Sequence, residues 1–272
     1  MASVVRSLYA RVDRRLPHGV PDVVLQIVLF EVGYMLYRVV RGWVDQPDGA
    51  AVAFQNGRNI IDLERSLHFF IEPKVQSFFG ATSFIGDAAS WVYLNAQVTI
   101  TLGALAYIYL RHNRSFYFVR NMFMVSWTIA LVGYIVYPSA PPRFFPEWGF
   151  VDSVANFTGV QPTSAGVNSL FNPYAAVPSM HVAFALMIGV PLALLVKHPV
   201  TRWFWTLYPA FVTFVIVITG NHFLTDAVLG AITAGAAWAA ATQMARAREQ
   251  WAFEGAQPAP RALDAEPVRV TA

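Results

Sequence analysis

The sequence predicts an all-α protein that crosses a membrane about six times, and three observations carry that prediction. Hydrophobic residues make up 56% of the 272-residue chain and charged residues only 13%, with a mean hydropathy of +0.45. Soluble domains carry about 25% charged residues. Apolar runs of roughly spanning length recur at 23–40, 88–110, 116–137, 182–195, 204–219 and 223–241. Basic residues collect between those runs on one side of an even-span path.

Taken in order, residues 1–22 form an arm carrying Arg6, Arg11, Arg14 and Arg15. The arm lacks the short apolar core and small-residue cleavage site of a signal peptide, so it is expected to be retained. The first run ends at Arg41-Gly42. Residues 42–87 are then Asp-, Asn- and Glu-rich, with Asp62 and Glu64 expected to pair with Arg58 or Arg65 in preference to lining the site entrance. The stretch Ser66-Leu67-His68-Phe69-Phe70-Ile71 suggests an interfacial helix with its aromatics toward lipid. Arg111-His112-Asn113-Arg114 separates the second and third runs, Pro138 stops the third, and Lys197-His198-Pro199 separates the fourth and fifth. Residues 139–177, rich in Pro, Gly, Asn and Ser, predict a long loop, and such loops in compact proteins are usually functional.

The basic clusters assign the arm, the Arg111/Arg114 and Lys197/Arg202 turns and the Arg246/Arg248 segment to the cytoplasm. Both termini are therefore expected inside, and the junctions at Pro138, Pro178 and Gly220 outside. The expected organisation is a 1–22 arm, a membrane domain over 23–245 and a disordered cytoplasmic tail over 246–272. Arginine far outnumbers lysine, and alanine and valine are abundant, which suggests a bacterial chain and hence a multi-pass protein of the inner membrane. Trp91, Trp127, Trp203 and Trp205 fit interface belts. The absence of cysteine excludes disulfides and thiolate zinc sites. The net charge of +3 is topogenic and gives no reason to expect a nucleic-acid partner.

Three polar clusters fall at the outward junctions. Tyr137-Pro138-Ser139-Ala140-Pro141-Pro142-Arg143-Phe144 holds one cation, Arg143, which alone would suit an interfacial arginine. Ala176-Val177-Pro178-Ser179-Met180-His181 opens a span, so Ser179 is expected as a helix cap beside free backbone N–H groups, an anion site with His181 in its first turn. In Thr219-Gly220-Asn221-His222-Phe223-Leu224-Thr225-Asp226, His222 and Asp226 stand four apart on one helix face. A carboxylate there can hold the imidazole by one nitrogen and raise the nucleophilicity of the other. The set contains no evident metal-ligand group and suits metal-free phosphoryl transfer, so neither metal nor cofactor is expected.

The order Pro-Pro-Arg, Pro-Ser-x-His, His-x-x-x-Asp resembles the type 2 phosphatidic acid phosphatase superfamily. It resembles more closely the branch of inositol phosphorylceramide synthase and its bacterial relatives, from about residue 56 to Gly230. The resemblance implies that His222 is a nucleophile forming a phosphohistidine, Asp226 orients it, His181 is the general acid, and Ser179 and Arg143 hold phosphate. Two features differ from the phosphatase pattern. Val215 and Ile216 stand where it has Ser-Arg, and Met180 stands where glycine is common. The expected function is a lipid phosphatase or an inositolphosphotransferase-like head-group transferase, with a membrane lipid as substrate and water, a second lipid or a polyol as acceptor. The alternative is a non-enzymatic transporter or lipid-binding protein that uses the same polar cluster.

Overall fold

The computed structural model describes residues 2–43, 47–80, 82–160 and 174–254. Those residues are helical without strands, and five helices are long and apolar enough to cross a membrane, with a sixth, shorter apolar one. The chain is thus an all-α polytopic membrane protein. The helices are α1 (Ala2–Asp13), α2 (Gly19–Trp43), α3 (Pro47–Ser66), α4 (Glu72–Phe79), α5 (Phe84–Trp91), α6 (Gln97–Arg111), α7 (Asn113–Val136), α8 (Ser153–Thr158), α9 (Met180–Leu195), α10 (Pro199–Ile218) and α11 (Leu224–Ala247). A π-helical turn, Val92–Ala96, joins α5 to α6 into one 28-residue span.

Helices α7, α9, α10 and α11 form the bundle centre, with α6 on one flank. Phe123, Tyr134, Met187, Ile188, Ile216 and Ala237 are buried there. Small residues let backbones approach, as expected where lipid offers no hydrophobic drive between helices. A Cβ on Gly189 would lie 2.8 Å from the Trp205 carbonyl, and one on Gly230 would overlap the Ser179 carbonyl. By contrast α2 is exposed over most of its length and packs on α7, leaving a gap toward α6.

One end of the bundle is capped by α3, α4 and the 137–160 segment around a second core of Ile60, Ile61, Phe145, Phe150 and Phe223. Here the structure corrects one expectation. Residues 67–71 are the break between α3 and α4, with His68 at φ +61°, and not an interfacial helix. Phe70 turns inward onto Trp148 and Phe150. The 139–177 loop is ordered over its described residues, with 3-10 turns at Pro142–Phe144 and Pro146–Trp148, helix α8, and a single parallel bridge between Ser139 and Ala175. Residues 161–173 of that loop lie outside the described residues.

At the opposite end, residues 246–254 are docked where a disordered tail was expected. Phe253 is buried against Phe118 and Trp238. Glu254 accepts at 2.9 Å from His112 Nδ1, and its backbone N–H donates to Ser115 Oγ. Residues 255–272 lie outside the described residues.

Candidate active site

Helix α10 ends in a turn at Gly220, whose φ of +70° and close approach to the Val151 carbonyl suit glycine. That turn delivers Asn221 and His222 to the start of α11. Asp226, in the first turn of α11, uses a single oxygen for two purposes. Its Oδ2 accepts from the Phe223 backbone N–H at 3.0 Å and lies 3.3 Å from His222 Nδ1. With Asp226 as the acceptor, the pairing puts the proton on Nδ1 and leaves the Nε2 lone pair for a substrate. Both side chains are buried. Burial pushes His222 down to about 3, and the Arg143 guanidinium pushes the same way against a hydrogen bond to the Ala176 backbone. The ring is therefore a neutral imidazole at ordinary pH.

His181 reaches the same place from the first turn of α9. Its ring stacks on Tyr93, centroids 4.4 Å apart at 20°, and its carbonyl accepts from Gln97 Nε2 at 2.7 Å. Tyr93 belongs to the π-helical turn, a feature common at functional sites. The His181 and His222 rings lie 5.5 Å apart, centroid to centroid.

Ser179 is fully buried at the N-cap of α9, and its backbone N–H donates to the Asp226 carbonyl at 3.0 Å. Its hydroxyl does not cap the helix, contrary to expectation, and Oγ has no hydrogen-bond partner in the protein. A buried hydroxyl without a partner costs about 1–3 kcal/mol, which a bound acceptor oxygen would relieve. Arg143 sits in the Pro142–Phe144 turn. Its backbone N–H donates to the Gly220 carbonyl at 2.9 Å, its Nη1 donates to Asn221 Oδ1, and its Nε lies 3.7 Å from Asp152 Oδ2. All five residues singled out in the sequence thus gather at one end of the bundle.

Several partners escaped the sequence reading. Glu64 pairs with neither Arg58 nor Arg65. It is buried and accepts from the Thr225 N–H at 2.7 Å, and Arg65 lies over the Trp148 ring. Glu72, also buried, accepts from the Leu224 N–H at 2.9 Å. Gln76 donates to the Val151 and Ile218 carbonyls, latching α4 onto the end of α10. Among the described residues, no group of three or more His, Asp or Glu is arranged to hold a metal ion.

A groove of about 910 Å³ runs from His181 along the gap between α2 and α6. Phe30, Trp127, Leu102, Leu105 and Phe184 line it, with Gln97 and Met180 near the histidine.

Two imidazoles, a carboxylate, a guanidinium and a helix start, gathered at the end of an apolar helical bundle, define a membrane enzyme that works on phosphoesters. Residues 58–240 match the family model of the PAP2 superfamily, and the chain belongs to that superfamily. No curated protein and no solved structure matches it. Members of the superfamily are phosphatases, so a phosphatase or phosphotransferase type of activity follows.

Proposed function

We propose that the protein is a lipid phosphatase or head-group phosphotransferase that acts through a phosphohistidine on His222. The observation that carries this reading is the facing pair of imidazoles, one of them held at Nδ1 by Asp226. In the first step His222 Nε2 attacks phosphorus, the bond from phosphorus to the leaving oxygen breaks, and protonated His181 gives that oxygen its proton. In the second, His181 takes a proton from water or an alcohol, whose oxygen attacks phosphorus as the P–N bond breaks. Arg143, Ser179 Oγ and the start of α9 hold the nonreacting phosphate oxygens.

Two observations support finer assignments. The apolar groove ending at His181 suits the hydrocarbon part of a lipid phosphoester. Val215 and Ile216, where phosphatases of the family carry Ser-Arg, are buried among apolar side chains. Among the described residues, Arg143 is the guanidinium joined to the cluster. Without a second arginine the cluster carries less positive charge to offset a phosphomonoester, whose second pKa is about 6, and a singly charged phosphodiester requires less. That favours head-group transfer of the inositol phosphorylceramide synthase kind, with a second lipid or a polyol as acceptor. The asymmetry of basic residues supports a site on the extracytoplasmic face of a bacterial inner membrane with both termini cytoplasmic.

The test is turnover by purified protein in detergent, with EDTA present, on a panel of phospholipids and polyprenyl phosphates, with and without an added alcohol or lipid acceptor. Activity that survives EDTA and vanishes in His222→Ala is expected. Free phosphate identifies a phosphatase, and a new phospholipid a transferase. Turnover unchanged in His222→Ala would sink the mechanism.

A further inference from the structure

Three consecutive backbone N–H groups at the start of α11 each donate to a different carboxyl group. Phe223 donates to Asp226 Oδ2, Leu224 to Glu72 Oε1 and Thr225 to Glu64 Oε1, at 3.0, 2.9 and 2.7 Å. Asp226 lies on α11 itself, whereas Glu72 and Glu64 come from α4 and α3, more than 150 residues earlier in the chain. Both glutamates are fully buried, a state carboxylic acids reach only when paired.

We propose that Glu64 and Glu72 are positioning residues of the phosphoryl-transfer reaction: they grip the first two N–H groups of α11 and so fix the His222–Asp226 unit against His181. The inference rests on the reading of His222 as nucleophile. Its geometric basis is that the gripped residues, Leu224 and Thr225, lie between His222 and Asp226. A slide or tilt of the α11 start changes the 3.3 Å Nδ1 to Oδ2 contact directly. The ring and its carboxylate share one short segment of chain, and without the two glutamates nothing from the capping helices would bond the N–H groups between them.

The protonation of the pair follows from its surroundings. Glu64 Oε2 and Glu72 Oε2 are both buried with no donor, although the two carboxyls are within hydrogen-bond reach of each other. One proton between them supplies the missing donor. Burial, together with the adjacent Glu72, pushes Glu64 up to about 9, so Glu64 keeps its proton at neutral pH. Both carboxyls face the positive end of the α11 dipole. The α11 start is thereby filled by the protein's own carboxyls, which leaves the start of α9, with the partnerless Ser179 hydroxyl, for the phosphate.

The experiment uses the full chain in detergent and the lipid phosphoester that wild type turns over best. Glu64→Gln keeps the acceptor for Thr225 and puts an amide N–H where the shared proton was. It is expected to retain kcat within about threefold. Glu64→Ala removes the grip, and Glu64→Asp shortens it by about 1.5 Å. Misplacements of about 1 Å can cost about 100-fold, so kcat in both should fall by about 10- to 100-fold while KM stays within about twofold. If Glu64→Ala yields no monodisperse protein, Glu64→Asp decides by the same criteria, and if that too fails, Glu72→Asp does. Wild-type kcat in the grip-breaking variants overturns the proposal, as does a loss confined to KM or a Glu64→Gln enzyme as inactive as His222→Ala. An inactive His222→Ala beside fully active glutamate variants removes this proposal alone. Activity in His222→Ala removes the reading beneath it.

Discussion

The rings of His181 and His222 face one another at 5.5 Å between centroids and 58° between planes, one from the first turn of α9 and the other from the turn before α11. Neither helix alone could bring them together. In the proposed mechanism the two rings divide the reaction between acid and nucleophile, and the division is measurable. His222→Ala should abolish turnover of every phosphoester. His181→Ala should lower lipid turnover by about 100- to 10,000-fold but spare most turnover of an activated aryl phosphoester, whose leaving oxygen needs no proton. Equal losses on both substrates would argue against His181 as the acid.

Ser179 offers a test that separates binding from folding. Its Oγ has no partner in the unliganded protein, so Ser179→Ala should leave thermal stability unchanged or slightly raised. Phosphate affinity should weaken, with KM raised by about 5- to 10-fold for one lost hydrogen bond of roughly 1 kcal/mol. Thermal unfolding with and without a nonhydrolysable phosphonate lipid reads both effects.

Ala106 lines the groove and has room for a larger side chain on its exposed face. Ala106→Trp should raise KM for long-chain lipid phosphoesters while leaving a short, water-soluble phosphoester unaffected. Competition between the two substrates in mixed micelles measures the split. A uniform loss on both would place the hydrocarbon elsewhere.

Two buried groups tilt stability in opposite directions with pH. His222 is pushed down from 6.5 to about 3, so between those values the unfolded chain binds a proton that the folded chain refuses, and stability falls as the pH drops. Glu64 is raised from 4.5 to about 9, so its contribution is full below 4.5 and is lost as pH rises through about 9. Melting temperatures across that range should show a flatter acid limb in His222→Ala and a flatter alkaline limb in Glu64→Gln.

Arg143 holds Asn221 and approaches Asp152 through different nitrogens of its fork. Lysine has no such fork, so Arg143→Lys should behave like Arg143→Ala, with KM raised by about tenfold or more. Recovery of wild-type KM by lysine would show that point charge alone matters there.

What the sequence disclosed depended on how locally each feature is encoded. Apolar runs reveal spans because lipid contact is written into composition. His222 and Asp226 were legible by their spacing, although they share no helix face: His222 precedes α11, and Asp226 reaches back across the helix start to meet it. Glu64 and Glu72 were not, since their partners are backbone N–H groups, which carry no side-chain signature. The 66–71 aromatics misled because outward and inward rings look alike in one dimension, and only Trp148 and Phe150 decide the direction. Residues 246–254 resembled a tail because their anchors, Trp251 under the Arg120 guanidinium and Phe253 against Phe118, are two aromatics among charged and small neighbours. The orphaned Ser179 hydroxyl is a property of packing alone.

The gap between α2 and α6 has a kinetic consequence. If, as proposed, the substrate is a membrane lipid entering by this groove, it arrives by two-dimensional diffusion within the leaflet, and the quantity that saturates the protein is a mole fraction of lipid and not a molarity. Diluting the substrate with inert detergent or lipid at constant total amount should slow the reaction, whereas diluting the whole suspension with buffer should not.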